Sequence, residues 1–303
     1  MPETSTAGGG HPATRLTPEA FERLAIGLRP QLHRYCARMT GSAVDGEDVL
    51  QEALLKAVEA LPRTEPLTHP EGWLFRIAHN AALDFVRRKQ RFDATYADED
   101  ISMIAAPEVA MPPAAAASLR VFMRLATQQR SAIILRDVLG YSVQETADII
   151  GNSLPATKAA IQRGRLRLQQ IAGEPDEAPV PALGDADTRR LRAYVDSFNA
   201  RDFDAVRAML ADDVRLELVN RLRAEGKGRV GDYFHRYSLS RDWVCGPGFV
   251  DGRPAVLMFD ANDPGSRPSN FVLLDWLDDR VLSIRDFRFA RYTLEVAEVR
   301  GLD

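Results

Sequence analysis

GYSVQETADIIGNSLPATKAAIQRGRLRL, residues 140–168, divides into a short amphipathic run, a Gly-Asn-Ser turn and a basic run. Ser142 with Glu145 three residues later forms a capping box, in which each residue satisfies an amide that a helix start leaves open. Gly151 falls where a left-handed C′ residue ends that helix. Asn152 and Ser153 make the turn, Ser153 can cap the second helix, and Pro155 lies in the first turn of that helix. The second helix is expected to run to about Ile171. Helix, tight turn and basic helix is the helix-turn-helix pattern, in which the second helix enters the major groove, although plain helical hairpins share the spacing. Its early residues meet base edges and its later arginines meet phosphates.

Upstream, the chain is helical. AASLRVFMRLATQQRSAIILRDVLGY (116–141) carries apolar residues at helical spacing. TPEAFERLAIGLRPQLHRYCARMTG (17–41) opens with Thr17 as N-cap and Pro18 at N1, and Glu19 and Glu22 suit the positive end of the dipole. Its stripe is Phe21, Leu24, Leu28, Leu32 and Tyr35. In DGEDVLQEALLKAVEALP (45–62), Val49, Leu50, Ala53, Leu54 and Ala57 face inward, and Asp48 and Glu52 share the polar, exposed side. In HPEGWLFRIAHNAALDFVRRKQR (69–91), Leu74, Ala78, Ala81 and Phe85 face inward. Arg76, Asn80, Asp84 and Arg87 share one polar face, and the spacing pairs Asp84 with Arg88.

The 303 residues, 45% hydrophobic and 27% charged, suit a soluble protein of two or three domains. No apolar run approaches the roughly 20 residues of a membrane span, and the N-terminus has no apolar signal region, so no membrane partner is expected and the place is the cytoplasm. Cys36 and Cys245 lie far apart and outside any metal-binding spacing, so reduced thiols and no metal are expected. Residues 1–173 hold 20 Lys+Arg against 19 Asp+Glu, a net +1, whereas residues 174–303 hold 19 against 24, a net −5. The cations of the first part cluster at Arg87–Arg91 and at Lys158, Arg163, Arg165 and Arg167, a pattern that fits nucleic-acid binding and equally fits solvated helix faces.

Residues 96–118, acidic and then Ala/Pro-rich, and 173–187, rich in Pro and acids, read as linkers. The resulting division is a disordered lead-in at 1–16, domains at 17–92, 118–172 and 187–303, and linkers at 93–117 and 173–186. The third domain opens with helices at 188–201 and from Asp202. A strand, a helix over GKGRVGDYFHRYS (226–238) and a run of antiparallel strands come next, with LDDR (277–280) as a hairpin turn. Helices leading into such a run argue α+β.

GEDVLQEALLKA, PEGWLFRIAHNAALDFVRRKQR and the helix-turn-helix, in this order over residues 17–172, resemble the extracytoplasmic-function group of sigma-70 family RNA polymerase sigma factors. The resemblance implies two all-α domains, the region 2 helical bundle and the region 4 helix-turn-helix. It also implies core RNA polymerase and promoter DNA as partners. It makes Asp48, Gln51, Glu52 and Leu55 the polymerase-binding surface. Trp73, Arg76, Asn80, Asp84, Arg87 and Arg88 become readers and melters of the −10 element. Thr157, Lys158, Gln162, Arg163, Arg165 and Arg167 become readers of the −35 element. Melting needs flat side chains for unstacked bases and cations for the strand. Trp73 and Phe75 offer such faces, although Leu74 and Ile77 also place Trp73 to pack in the core. Ala126, Pro155 and Ala160 depart from the residues usual in the family.

YVDSFNARDFDAVRAMLADDVRLEL resembles the start of a SnoaL-like domain of the NTF2-like cone fold, over about 187–295. A sigma factor subgroup carries such an extension with a regulatory DGGGR-type motif. EGKGR matches it in part, making Glu225, Gly226, Gly228 and Arg229 regulatory candidates, while RFARY (288–292) stands at the C-terminal end in place of an NPDKL-type motif. The reading is a transcription initiation factor, with no catalytic residue and no cofactor, whose extension takes a small-molecule ligand or a protein contact and tunes activity. The alternative is a SnoaL-like enzyme fused to a DNA-binding module, for which Asp213, Glu217, His235, Asp242, Asp260 and Asp286 are the candidate acids or bases.

Overall fold

The computed structural model describes residues 15–93, 117–172, 174, 181–263 and 265–302. Residues 1–14 of the expected lead-in, 94–116 of the first linker, and 173 and 175–180 of the second lie outside the described residues. The chain divides into two compact units, residues 1–175 and 176–303.

In the first unit, α1 (Pro18–Thr40) starts as its sequence predicts, with the Thr17 hydroxyl accepting from the Ala20 amide at 3.2 Å. Helix α2 (Ala43–Ala60) returns against it, capped by Ser42, and α3 (Pro70–Asp93) crosses both. The α1–α2 approach needs Gly46, where a Cβ would lie 2.5 Å from the Ala37 backbone. Then come α4 (Leu119–Met123), α5 (Thr127–Ile133) continuing into a π-helical turn over Ile134–Val138, α6 (Val143–Ile150) and α7 (Leu154–Ala172). Both arms of the Ser142–Glu145 capping box form, and Gly151 takes φ 72° at the end of α6. Segments 17–92 and 118–172, read as separate domains from sequence, share one hydrophobic core running from Phe21 through Leu50, Phe75, Phe122 and Ile133 to Leu168.

The second unit is α+β, as a cone-type domain requires. Helices α8 (Asp185–Asn199), α9 (Phe203–Ala208) and α10 (Lys227–Ser238) accompany a seven-stranded sheet of order β2-β1-β6-β5-β4-β3-β7. The strands are β1 (Leu210–Leu218), β2 (Leu222–Glu225), β3 (Trp243–Val250), β4 (Arg253–Asp260), β5 (Asn270–Leu277), β6 (Arg280–Asp286) and β7 (Val299–Gly301). The sheet is mixed, not wholly antiparallel, because β1 pairs parallel with β6. Asp202 caps α9 and Asp278, at φ 52°, turns the β5–β6 hairpin, as their positions predict. One face of the sheet is filled by an aromatic core. Phe198 lies 4.9 Å from Trp243, 5.2 Å from Tyr237 and 5.4 Å from Phe203 between ring centroids.

Candidate nucleic-acid interface

Three helical faces of the first unit carry the expected site residues. On α2, Asp48 and Leu55 are exposed, Leu55 by 66% with Val58 beside it at 53%, which leaves apolar surface open on a polar helix side. Gln51 is half-buried and donates to Glu47 Oε1 at 3.4 Å; the Glu47 carboxylate is buried and accepts from Arg29 at 2.9 Å. Glu52 departs from the expected exposure. It is half-buried between Lys56 at 2.7 Å and Arg88 of α3 at 3.0 Å. Burial pushes its carboxyl up, but the hydrogen bonds and charges of Lys56 and Arg88 together outweigh that, and the net lies below the ordinary carboxylate range.

On α3, Arg76, Asn80, Asp84, Arg87 and Arg88 are all exposed. Asp84 pairs with Lys56 at 3.7 Å and Arg87 at 3.8 Å, not with Arg88, because the cross-helix carboxylate of Glu52 captures Arg88. Of the two aromatic candidates for base stacking, Phe75 is ruled out by burial. Its ring sits edge-on to Tyr141 at 5.2 Å and Tyr35 at 6.1 Å. Trp73 is half-buried and packs edge-on against Phe21 at 6.3 Å, so part of its surface remains open. Beneath them, the Tyr35 hydroxyl and His79 Nδ1 lie 2.7 Å apart, and burial, with the Arg87 charge adding to it, pushes His79 down to about 4. A neutral ring can thus sit under the cationic face.

On α7, Ala160, Ile161, Gly164, Leu168 and Ile171 are buried. Gly164 permits the close α5–α7 crossing, since a Cβ there would meet Ile133 Cγ1 at 2.6 Å. The opposite side presents Lys158, Gln162 and Arg163, all exposed. Helical periodicity sets Gln162 nearest the middle of that side, Lys158 and Arg163 on either side of it, and Arg165 and Arg167 at its borders with the buried side. Thr157 is withdrawn from the predicted reading set. It is fully buried, and its hydroxyl donates to the Ser153 carbonyl at 3.0 Å. Arg165 is bound bidentately by Asp137, at 2.6 and 3.0 Å, and Arg167 donates to Gln170 at 3.3 Å.

The halves of this unit are joined by groups whose role sequence reasoning missed. The buried Arg130 guanidinium donates to the carbonyls of Met39 at 2.7 Å, Leu125 at 3.0 Å and Met123 at 3.3 Å, and burial pushes it down to about 10, still charged at neutral pH. Arg76 donates to the Asp148 carbonyl of α6, and Arg38 lies 5.3 Å over the Phe122 ring. Nothing in TQQRSAIIL marks Arg130 as buried, because a polar residue at helical spacing reads as exposed until its carbonyl partners are known.

In the second unit, Glu225 ends β2, Gly226 at φ 86° precedes α10, and Gly228 and Arg229 are exposed in its first turn. The candidate acids and bases do not form one constellation. Asp213, His235, Asp242 and Asp260 are exposed, and Glu217 is ion-paired to Arg223 and Arg285. Asp286 is buried and accepts from Tyr237 Oη at 2.8 Å, Tyr233 Oη at 3.2 Å and Asn270 at 3.3 Å. Among the described residues, no helix is long and apolar enough to cross a membrane.

Residues 26–92 match the family model of sigma-70 region 2, and residues 119–168 that of sigma-70 region 4. The RNA polymerase sigma factor CarQ of Myxococcus xanthus is 34% identical over 161 residues, covering 52% of this chain and 91% of CarQ. The ECF RNA polymerase sigma factor SigG of Mycobacterium tuberculosis is 31% identical over 303 residues, covering 86% of this chain and 78% of SigG. The crystal structure of the M. tuberculosis extracytoplasmic function sigma factor SigJ is similar at 21% identity and a TM-score of 0.34, over 88% of this chain and 94% of that one. With both region models matched in order, CarQ covered almost end to end and the ECF sigma factor SigG matched over 78% of its length, the chain belongs to the extracytoplasmic-function sigma factors of the sigma-70 family.

Proposed function

We propose that this chain recruits core RNA polymerase through the Asp48–Leu55 face of α2, opens the −10 element on the polar face of α3, and reads the −35 element with α7. The observation that carries the reading is the outward row Lys158, Gln162 and Arg163 behind a capped helix and a left-handed glycine turn. A side that is polar, cationic and turned away from the core has the composition of a groove-entering helix. The polymerase face supports the rest, since Leu55 and Val58 are exposed beside a carboxylate. The second unit acts as a regulator and not as an enzyme, in keeping with carboxylates that are scattered, ion-paired or buried instead of convergent.

The test is run-off transcription with purified core polymerase. The full chain directs initiation from its own promoter, and core polymerase alone does not. A chain ending at Gly173 is expected to be more active, because the acidic extension acts as a restraint on the DNA-reading segments. Lower activity would make the extension a required positive element. Equal inactivity of polymerase with and without the full chain would overturn the reading as a whole.

A further inference from the structure

The outer face of the sheet in the second unit holds an open cleft of about 510 Å³, formed by β2, β1, β6 and β5 and by the first turn of α10. Strand alternation places it opposite the aromatic core. Val214, Leu216, Leu218 and Ile284 point into the core, and Arg215, Glu217, Ser283 and Arg285 between them point out. Two cross-strand rows build its floor. One runs Glu225, Arg215, Ser283, Asp275, and the other runs Arg223, Glu217, Arg285.

The two rows differ in how their charges are used. Glu217 holds Arg223 at 2.8 Å and Arg285 at 2.9 Å, so one carboxylate fixes two guanidiniums in place. Arg215, and Arg229 entering from α10, make no ion pair or hydrogen bond within the described residues. A merely solvated ion-pair lattice would join Arg215 to Glu225, its cross-strand neighbour, and that pair is not made. Gly226 gives α10 no capping side chain, which leaves the positive end of that helix beside the arginines.

We propose that this cleft binds a small phosphorylated molecule bearing hydroxyl groups, of the sugar-phosphate class. Arg215 and Arg229 take the phosphoryl group, since a guanidinium fork matches phosphate oxygens and is charged at every physiological pH. Glu225, Asp275 and Ser283 accept from or donate to the hydroxyls. The volume lies within the range of small-molecule sites, and of the lining residues only Leu216 and Ala224 have apolar side chains, the rest being charged or hydroxyl-bearing. EGKGR then has a physical role as one wall of the site. Binding here is independent of whether it alters transcription.

Calorimetric titration of the full chain tests it, with glucose 6-phosphate, ribose 5-phosphate, glycerol 3-phosphate, inorganic phosphate and glucose as probes. At least one sugar phosphate should bind more tightly than inorganic phosphate, and glucose should not bind. Arg215→Ala and Arg229→Ala should each weaken that binding roughly tenfold, the loss of one charge-assisted contact. Arg241→Ala, exposed and outside the cleft, should leave it unchanged. Arg215→Lys keeps the charge but not the fork and should weaken binding less than Arg215→Ala does, with circular dichroism confirming the fold of each variant. Three results would overturn the proposal: no phosphorylated probe binding up to about 1 mM, binding indifferent to both alanine substitutions, or equal affinity for sugar phosphates and inorganic phosphate.

Discussion

Helices α3 and α7 carry similar polar and cationic residues and hold them in opposite states. On α3, Arg76 is bonded to the Asp148 carbonyl, Arg87 to Asp84, Arg88 to Glu52 and Lys89 to Asp45. On α7, Lys158, Gln162 and Arg163 make no hydrogen bond or ion pair within the described residues, and among the arginines Arg165 is the one paired with a carboxylate. A helix that docks into an intact duplex can be presented ready-made. On the proposed reading, in which α3 tracks the opening strand, its cations exchange protein acceptors for phosphates. Exposed ion pairs are worth about 0–1 kcal/mol each, so the α3 cations are held in position at small cost and released at small cost.

The largest expected effect separates polymerase docking from this α2–α3 charge lattice. Glu52 is part of the lattice, so reversing its charge would set a third cation against Lys56 and Arg88. Substitutions at Asp48 and Leu55, on the same helix side, leave that carboxylate in place. Asp48→Arg with Leu55→Arg should remove co-purification with core polymerase while the circular dichroism spectrum stays that of wild type. A folded double variant that co-purifies normally would show that the docking face is elsewhere.

Next in size is the joint that brings α3 and the helix-turn-helix into one unit. Arg130→Met leaves the carbonyls of Met39, Met123 and Leu125 without their buried donor. The cost should be about 3 kcal/mol, as expected for losing hydrogen bonds to a buried charge. Urea unfolding monitored through Trp73, the one tryptophan of residues 1–175, measures it. A change below about 0.5 kcal/mol would mean that the halves of the unit are adjacent without being coupled.

Within α7 the residues should divide by position. Lys158→Ala should change preference among −35 sequences, with roughly 1–3 kcal/mol of discrimination at stake. Arg163→Ala should weaken all sequences alike and lower the salt slope by about one ion. Arg165→Ala should lower it by less, because Asp137 already neutralises that guanidinium in the free protein. Equal slopes for the two arginine variants would show that the Asp137 pair opens on DNA.

These divisions also show which features the sequence carries and which it does not. The capping box at Ser142, the left-handed Gly151 and the start of α1 at Thr17 are local chemistry, complete within four or five residues, and each forms as its spacing predicts. The third-domain helices and the LDDR turn are local in the same way. What escapes is long-range. Strand β2, Leu-Arg-Ala-Glu, alternates in polarity, but four residues are too few for that alternation to mark a strand. The parallel β1–β6 pairing joins residues some seventy apart, the burial of Arg130 depends on a carbonyl ninety-one residues away, and Glu52 takes a second partner on another helix beside Lys56 on its own. Thr157 escapes for a related reason. Its polarity suits a DNA contact, but its hydroxyl is satisfied one turn back at Ser153, which lets the side chain be buried.

The smallest expected effect on stability, and the sharpest test of the α3–α7 contrast, belongs to Arg76. In the free protein its guanidinium donates to a helix carbonyl, a single exposed contact with a net value of about 1 kcal/mol or less. Arg76→Ala should therefore shift the urea midpoint little. If the α3 face tracks the melted strand, the same variant should lose promoter opening, read by permanganate reactivity of unpaired thymines, while −35 binding by α7 stays intact. Arg76→Lys should recover part of the opening, because a point charge serves a phosphate even where the fork is lost. A variant that opens the promoter as wild type does would make Arg76 a structural tie between α3 and α6, and the contrast would then rest on Arg87, Arg88 and Lys89. A variant that loses stability by several kcal/mol would instead mean that the tie to Asp148 holds the unit together, and that α3 is locked where we infer that it is only held.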